Sequence, residues 1–95
     1  MYRIRAQIKL YDSVNLRPIG SGYRPHFKFI EEMFAGGIME FPDREPLSQG
    51  DEADVEIILF DKRSVGGSVA IGTDFTIWNG ECRGEGTVTE IIDWT

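Results

Sequence analysis

The opening segment does most to limit the fold. In "YRIRAQIKL", Tyr2, Ile4, Ala6, Ile8 and Leu10 fall on one side of the chain, and Arg3, Arg5, Gln7 and Lys9 on the other. Successive side chains of an extended backbone point to opposite faces, so this period of two predicts a strand with one buried and one wet face. No later segment sustains the 3.6-residue period of an amphipathic helix. The sequence therefore predicts an all-β protein.

Further strands follow in order. "DSVNLRPIGSG" interrupts the pattern as a loop, with Asn, Pro and Gly supplying turn chemistry. In "YRPHFKFI", Pro25 lacks a backbone donor and belongs at a strand start. Phe27 and Phe29 then face the core, with His26 and Lys28 opposite. "EEMFAGGIMEF" reads as a turn at Ala35-Gly36-Gly37 and a short strand over 38–41. "PDREPLSQGDEAD" is a polar connection. Val55, Ile57 and Leu59 alternate with Glu56, Ile58 and Phe60, and both faces become apolar at the end, as in an interior strand.

"DKRSVGG" is another turn, and Val69 and Ile71 suggest a short strand. Phe75 and Ile77 mark the next, ending at Trp78. Asn79-Gly80 is the strongest hairpin signal in the chain. Its return strand runs through "GEGTVTEIIDW". Six or seven short strands in 95 residues leave edges that closure removes. The expectation is one domain over 1–95: a small closed or nearly closed antiparallel barrel of about six strands.

Charge narrows the partners. Ten Lys plus Arg against sixteen Asp plus Glu give a net charge of −6. Such a surface repels phosphate backbones and favours a basic protein partner. Arg3, Arg5 and Lys9 make one basic face, expected to be solvated or paired with acidic neighbours, with a contact surface as the alternative. No stretch approaches the roughly 20 apolar residues of a membrane-spanning helix, and the alternating N-terminus does not read as a signal peptide. A cytoplasmic location without membrane attachment is the resulting expectation.

Catalytic chemistry is thinly represented. His26 is the only histidine and Cys82 the only cysteine, so no disulfide forms within the chain and no His/Cys zinc set exists. Cys82 has Arg83 beside it, which can lower a thiol pKa. A small hydrolase would need Cys82 and His26 to converge with an acid. "DEADVE" lacks calcium-loop spacing, and the Gly-rich stretches lack the helix or the lysine of phosphate-binding motifs. No cofactor, metal or enzymatic activity is expected.

"GYRPHFKF", "GDEADVEIIL" and "FTIWNGECRGEGTV" together resemble, in order and spacing, the C-terminal domain of elongation factor Tu over nearly the whole chain. Gly22, Tyr23, Arg24 and Pro25 match that family's block, and His26 replaces its glutamine. Gly50 and Asp51 match a turn in which Gln49 replaces proline. Phe75, Ile77, Gly80, Gly84 and Gly86 match as well. The Glu81-Cys82-Arg83 hairpin is one residue shorter than the family's, which displaces the arginine.

The resemblance implies a six-stranded antiparallel barrel. In the family this barrel packs on a GTPase domain and a second barrel and helps hold the T-stem of aminoacyl-tRNA. Neither companion domain has a counterpart in these residues, so the resemblance implies no GTP hydrolysis here.

Four readings result. The first is a non-enzymatic protein-binding barrel that docks on a translation-related or basic partner. The second is an RNA-binding module that keeps part of the T-stem surface, with Arg24, Lys28 and Arg83 close together. The third is the small hydrolase. The fourth, which shares the sequence features of the first, is a piece of a larger assembly such as a homodimer or other homo-oligomer. The candidate binding residues are Arg24, His26, Lys28, Trp78, Asn79, Gly80 and Arg83, with Trp94 a further anchor and "DREPLSQGDEAD" a contact loop. For Arg24 a structural role is the expectation, because the residue before Pro25 is held extended and its guanidinium can tie neighbouring loop carbonyls together.

Overall fold

The structure is a computed structural model and describes residues 2–11, 18–30, 33–41, 50–60 and 69–94. Six strands are present: β1 (Tyr2–Leu10), β2 (His26–Ile30), β3 (Met33–Glu40), β4 (Glu52–Leu59), β5 (Asp74–Asn79) and β6 (Glu81–Trp94). They close into an antiparallel barrel in the order β1-β4-β3-β2-β5-β6. The all-β barrel expected from the sequence is the fold observed.

The alternation in β1 is realised as read. Ile4, Ala6, Ile8 and Leu10 are buried, whereas Gln7 and Lys9 are exposed. β1 pairs with β4 from Tyr2↔Leu59 to Lys9↔Glu52 and with β6 from Tyr2↔Trp94 to Leu10↔Gly84. Its outward arginines do pair with acids. Arg3 reaches Glu56 at 3.1 Å, and Arg5 reaches Glu56 at 3.4 Å and Glu90 at 3.0 Å.

The lumen is filled by side chains. Ile4, Ile8, Phe27, Met39, Ile57, Ile77 and Val88 are all at most 1% exposed, and no polar or charged side chain is buried among the described residues. Phe27 and Phe75 meet edge to face at 6.0 Å, and Phe29 lies 4.8 Å from Phe75. Small residues make room for these rings. A Cβ at Gly86 would come within 2.4 Å of the Phe75 ring.

Three sequence expectations need correction. Ala35-Gly36-Gly37 is not a turn, since β3 runs unbroken from Met33 to Glu40. Gly37 is required by contact: a Cβ there would lie 2.7 Å from the Ile58 carbonyl oxygen and 3.0 Å from Phe27. Val69 and Ile71 form no strand. Val69 is buried, but Ile71 occupies a turn in which Thr73 N–H donates to the Ala70 carbonyl.

Glu52–Asp54, read as part of a polar connection, already belong to β4. β4 does have a partner on each side, yet the apolar end of its outer face is not covered: Phe60, just beyond it, is 57% exposed. The "DKRSVGG" turn, most of the contact loop at 42–49 and the Trp94 side chain lie outside what is described. No described helix is long and apolar enough to cross a membrane.

Candidate functional site

With the lumen packed, the chemistry available to a partner lies on the outer wall. Pro25 has no N–H to contribute to the ladder, and β2 begins at the residue after it, as expected of a strand start. Register then aligns His26 with Gly36 of β3 on one side and Trp78 of β5 on the other. Lys28 aligns with Thr76. Phe34, on β3, closes the group. Its ring meets His26 edge-on at 6.2 Å and Trp78 edge-on at 5.6 Å.

Lys28 is held by the same rings. Its Nζ lies 5.5 Å from the Phe34 centroid and 5.4 Å from that of Trp78, within the range of cation–π attraction. The Trp78 indole N–H donates to Thr76 Oγ1 at 2.8 Å, which lays the ring along β5. His26, Phe34, Trp78 and Gly80 line an open hollow of about 290 Å³.

An apolar margin continues from this cluster. The Phe60 N–H donates to the Gly36 carbonyl at 3.0 Å, and the Phe60 ring lies over Gly36, 3.1 Å from where a Cβ would stand. Ile38 and Ile58, paired across β3 and β4, are half-buried on the same outer wall. Phe34 itself is 46% exposed. The result is a band of aromatic and aliphatic side chains running from β4 to β5.

The hairpin tip is tied to this wall. Gly80 has φ 83°, a conformation in which glycine is favoured. Asn79 Nδ2 donates to the Tyr23 hydroxyl at 3.3 Å. Arg83 Nε donates to the Asn79 carbonyl at 3.4 Å, and Arg83 Nη1 pairs with Glu81 at 2.9 Å. Arg24 is exposed, just before buried Pro25.

The structure thus gathers His26, Lys28, Trp78 and Gly80 into one cluster, with Asn79 and Arg83 at its margin. His26 and Cys82 stand on strands that β5 separates. Trp78 stands in register between His26 and Cys82. The Cys82 thiol faces the Gly84 carbonyl at 3.7 Å. Tyr11 neighbours it, and partial burial, then the Glu85 carboxylate and Cys82, raise the Tyr11 phenol above its usual value of 10.0. No group of three or more His, Cys, Asp or Glu side chains that could hold a metal occurs among the described residues.

Phe34 and Phe60 were missed as site residues. The glycine pair hid Phe34 by suggesting a turn. The signal for Phe60 was present in the doubly apolar end of β4, where it read as burial. In comparisons with known proteins, no family model matches the chain and no curated protein does.

Proposed function

We propose that the chain is a non-enzymatic protein-binding barrel whose contact face is the outer wall formed by His26, Lys28, Phe34, Trp78 and Phe60. One observation carries this reading: exposed Phe34 and half-buried Trp78 meet on the outside of a barrel whose inside is already full, with exposed Phe60 further along the same wall. Exposed apolar groups clustered in this way mark interaction surfaces, and aromatic anchors supply much of the energy at such contacts. A packed lumen leaves the outer wall as the place for recognition.

The resemblance to the C-terminal barrel of elongation factor Tu extends the proposal to a translation-related partner. It rests on the Gly22-Tyr23-Arg24-Pro25 block and the glycine hairpin, because small barrels host many unrelated functions. Protein binding is also the reading consistent with a net charge of −6.

RNA binding is the second reading. The Lys28 ammonium among aromatic rings favours it, since cations interleaved with aromatics suit single strands. Against it, Arg83 is engaged by Glu81, so the three-cation patch that this reading requires is reduced.

Affinity capture with tagged wild type and Phe34→Ser, with and without nuclease, tests both. A stoichiometric protein retained by wild type after nuclease and lost by the variant is the expected result. If wild type and variant retain the same proteins, the contact face is wrong. RNA eluted at low salt and lost at moderate salt moves the second reading to first place.

A further inference from the structure

The charges of this acidic barrel are unevenly arranged around its wall. In the closed order β1-β4-β3-β2-β5-β6, β2 lies opposite β1. The strands flanking β1 bring Glu52, Asp54 and Glu56 on one side and Glu85, Glu90 and Asp93 on the other. The β1 arginines are neutralised there by Glu56 and Glu90.

The β2 wall differs. Residues 24 to 28 run exposed, buried, exposed, buried, half-buried, so Arg24, His26 and Lys28 project outward together. Among the described residues, neither Arg24 nor Lys28 has a carboxylate within ion-pair distance. Asp74, which accepts a hydrogen bond from the Thr87 hydroxyl at 2.7 Å, and Glu85 line a hollow with Lys28 without forming an ion pair with it. In a chain with sixteen acids and ten Lys plus Arg, two neighbouring outward cations that no described carboxylate pairs form a local exception on the wall.

We infer that the β2 stripe binds an extended acidic segment of the partner, with carboxylates and an apolar side chain presented on one face. This deepens the protein-binding reading and rests on it. Alternate side chains of an extended segment recur every ~6.6–6.8 Å, the same repeat that spaces Arg24, His26 and Lys28. Carboxylates at such positions meet the three basic groups, and an apolar group beside them meets Phe34 and Trp78. The rings already hold the Lys28 ammonium in place, which lessens the ordering cost of an ion pair.

Asp74 and Glu85 oppose this attraction at the Lys28 end, whereas the remaining carboxylates of the β1 wall weaken it little, because the screening length in physiological salt is about 8 Å. A peptide fits better than RNA because Arg83, the third cation that RNA binding would use, is engaged by Glu81.

The sole histidine makes the test specific, since the His26 imidazole gives one resonance in the middle of the stripe. The full chain is titrated with a peptide whose alternate positions are Glu, Glu, Phe and Glu, separated by Ser. Matched peptides carry Gln or Lys in place of Glu, and an oligouridylate is titrated in parallel. The expected result is a saturable His26 shift with the Glu peptide alone, reduced by salt. Lys28→Gln and Arg24→Gln, checked for folding by thermal melting, should each weaken it by about fivefold.

An equal response to the Gln or Lys peptide overturns the acidic specificity and leaves the contact face standing. A stronger response to oligouridylate overturns the peptide assignment. No response to any probe at millimolar concentration also overturns this inference, while the Phe34→Ser capture still judges the protein-binding reading on its own.

Discussion

Trp78 separates His26 from Cys82: the imidazole strand pairs with the tryptophan, and the tryptophan strand pairs with the thiol. The only histidine and the only cysteine therefore sit on strands two apart, with an indole between them. Proton transfer between the two needs hydrogen-bond reach. His26→Gln should leave the rate and pH profile of Cys82 alkylation by iodoacetamide unchanged. A displaced profile would show that the two groups communicate and would reopen the hydrolase reading.

The two glycines of β3 should respond differently to a methyl group. Gly37→Ala sets its Cβ against a backbone carbonyl of β4, which cannot swing aside. A loss of about 1–3 kcal/mol is expected in urea unfolding, as for other overpacked cores. Gly36→Ala meets only the exposed Phe60 ring, which can rotate away. Its loss should be the smaller of the two, and the reverse order would contradict the packing of β3 on β4.

Glu56 links β4 to two arginines of β1, and its side chain is 19% exposed against 35% and 44% for Arg3 and Arg5. Because the arginines are substantially solvated, screening limits the contribution of the network. Glu56→Gln should cost about 1 kcal/mol or less, and the difference from wild type should shrink in high salt. A double-mutant cycle with Arg3→Gln measures the coupling directly.

Tyr11 gives the fold an alkaline dependence. Its phenol is raised above 10.0 in the folded chain by partial burial, then by Glu85 and Cys82. The folded state consequently keeps a proton that the unfolded state has begun to lose. This contribution is complete below pH 10.0, where both states are protonated, and is lost as pH rises through the higher folded value. Thermal melting across this range should show a steeper decline for wild type than for Tyr11→Phe. Identical slopes would remove Tyr11 from the account.

Residues with period-two patterning were legible from the sequence because the rule behind them is local. Tyr2 to Leu10, Phe27, Phe75 and Ile77 declared which side they bury, and Asn79-Gly80 declared a hairpin. The glycines of β3 were not legible, for a reason that lies on other strands. Gly37 exists to admit Phe27 and the Ile58 carbonyl, and a sequence window cannot display neighbours on other strands.

The site was legible in part. His26, Lys28 and Trp78 attracted attention singly, but their union depends on the β2–β5 register, and Phe34 joins them only because β3 is continuous. Phe60 illustrates the opposite difficulty. A strand apolar on both faces suggests cover from a second layer, whereas a single-walled barrel has only one interior.

The register of β1 on β6 has a mechanical consequence. Tyr2 pairs with Trp94 at one end of this long ladder, and Leu10 with Gly84 at the other. Tension between residues 2 and 94 therefore falls on the first pair of the ladder and acts across the strands. The hydrogen bonds meet that load one after another and do not share it. Pulled in this direction, the barrel opens like a seam from its end, at far lower force than if the same strands were drawn lengthwise past each other.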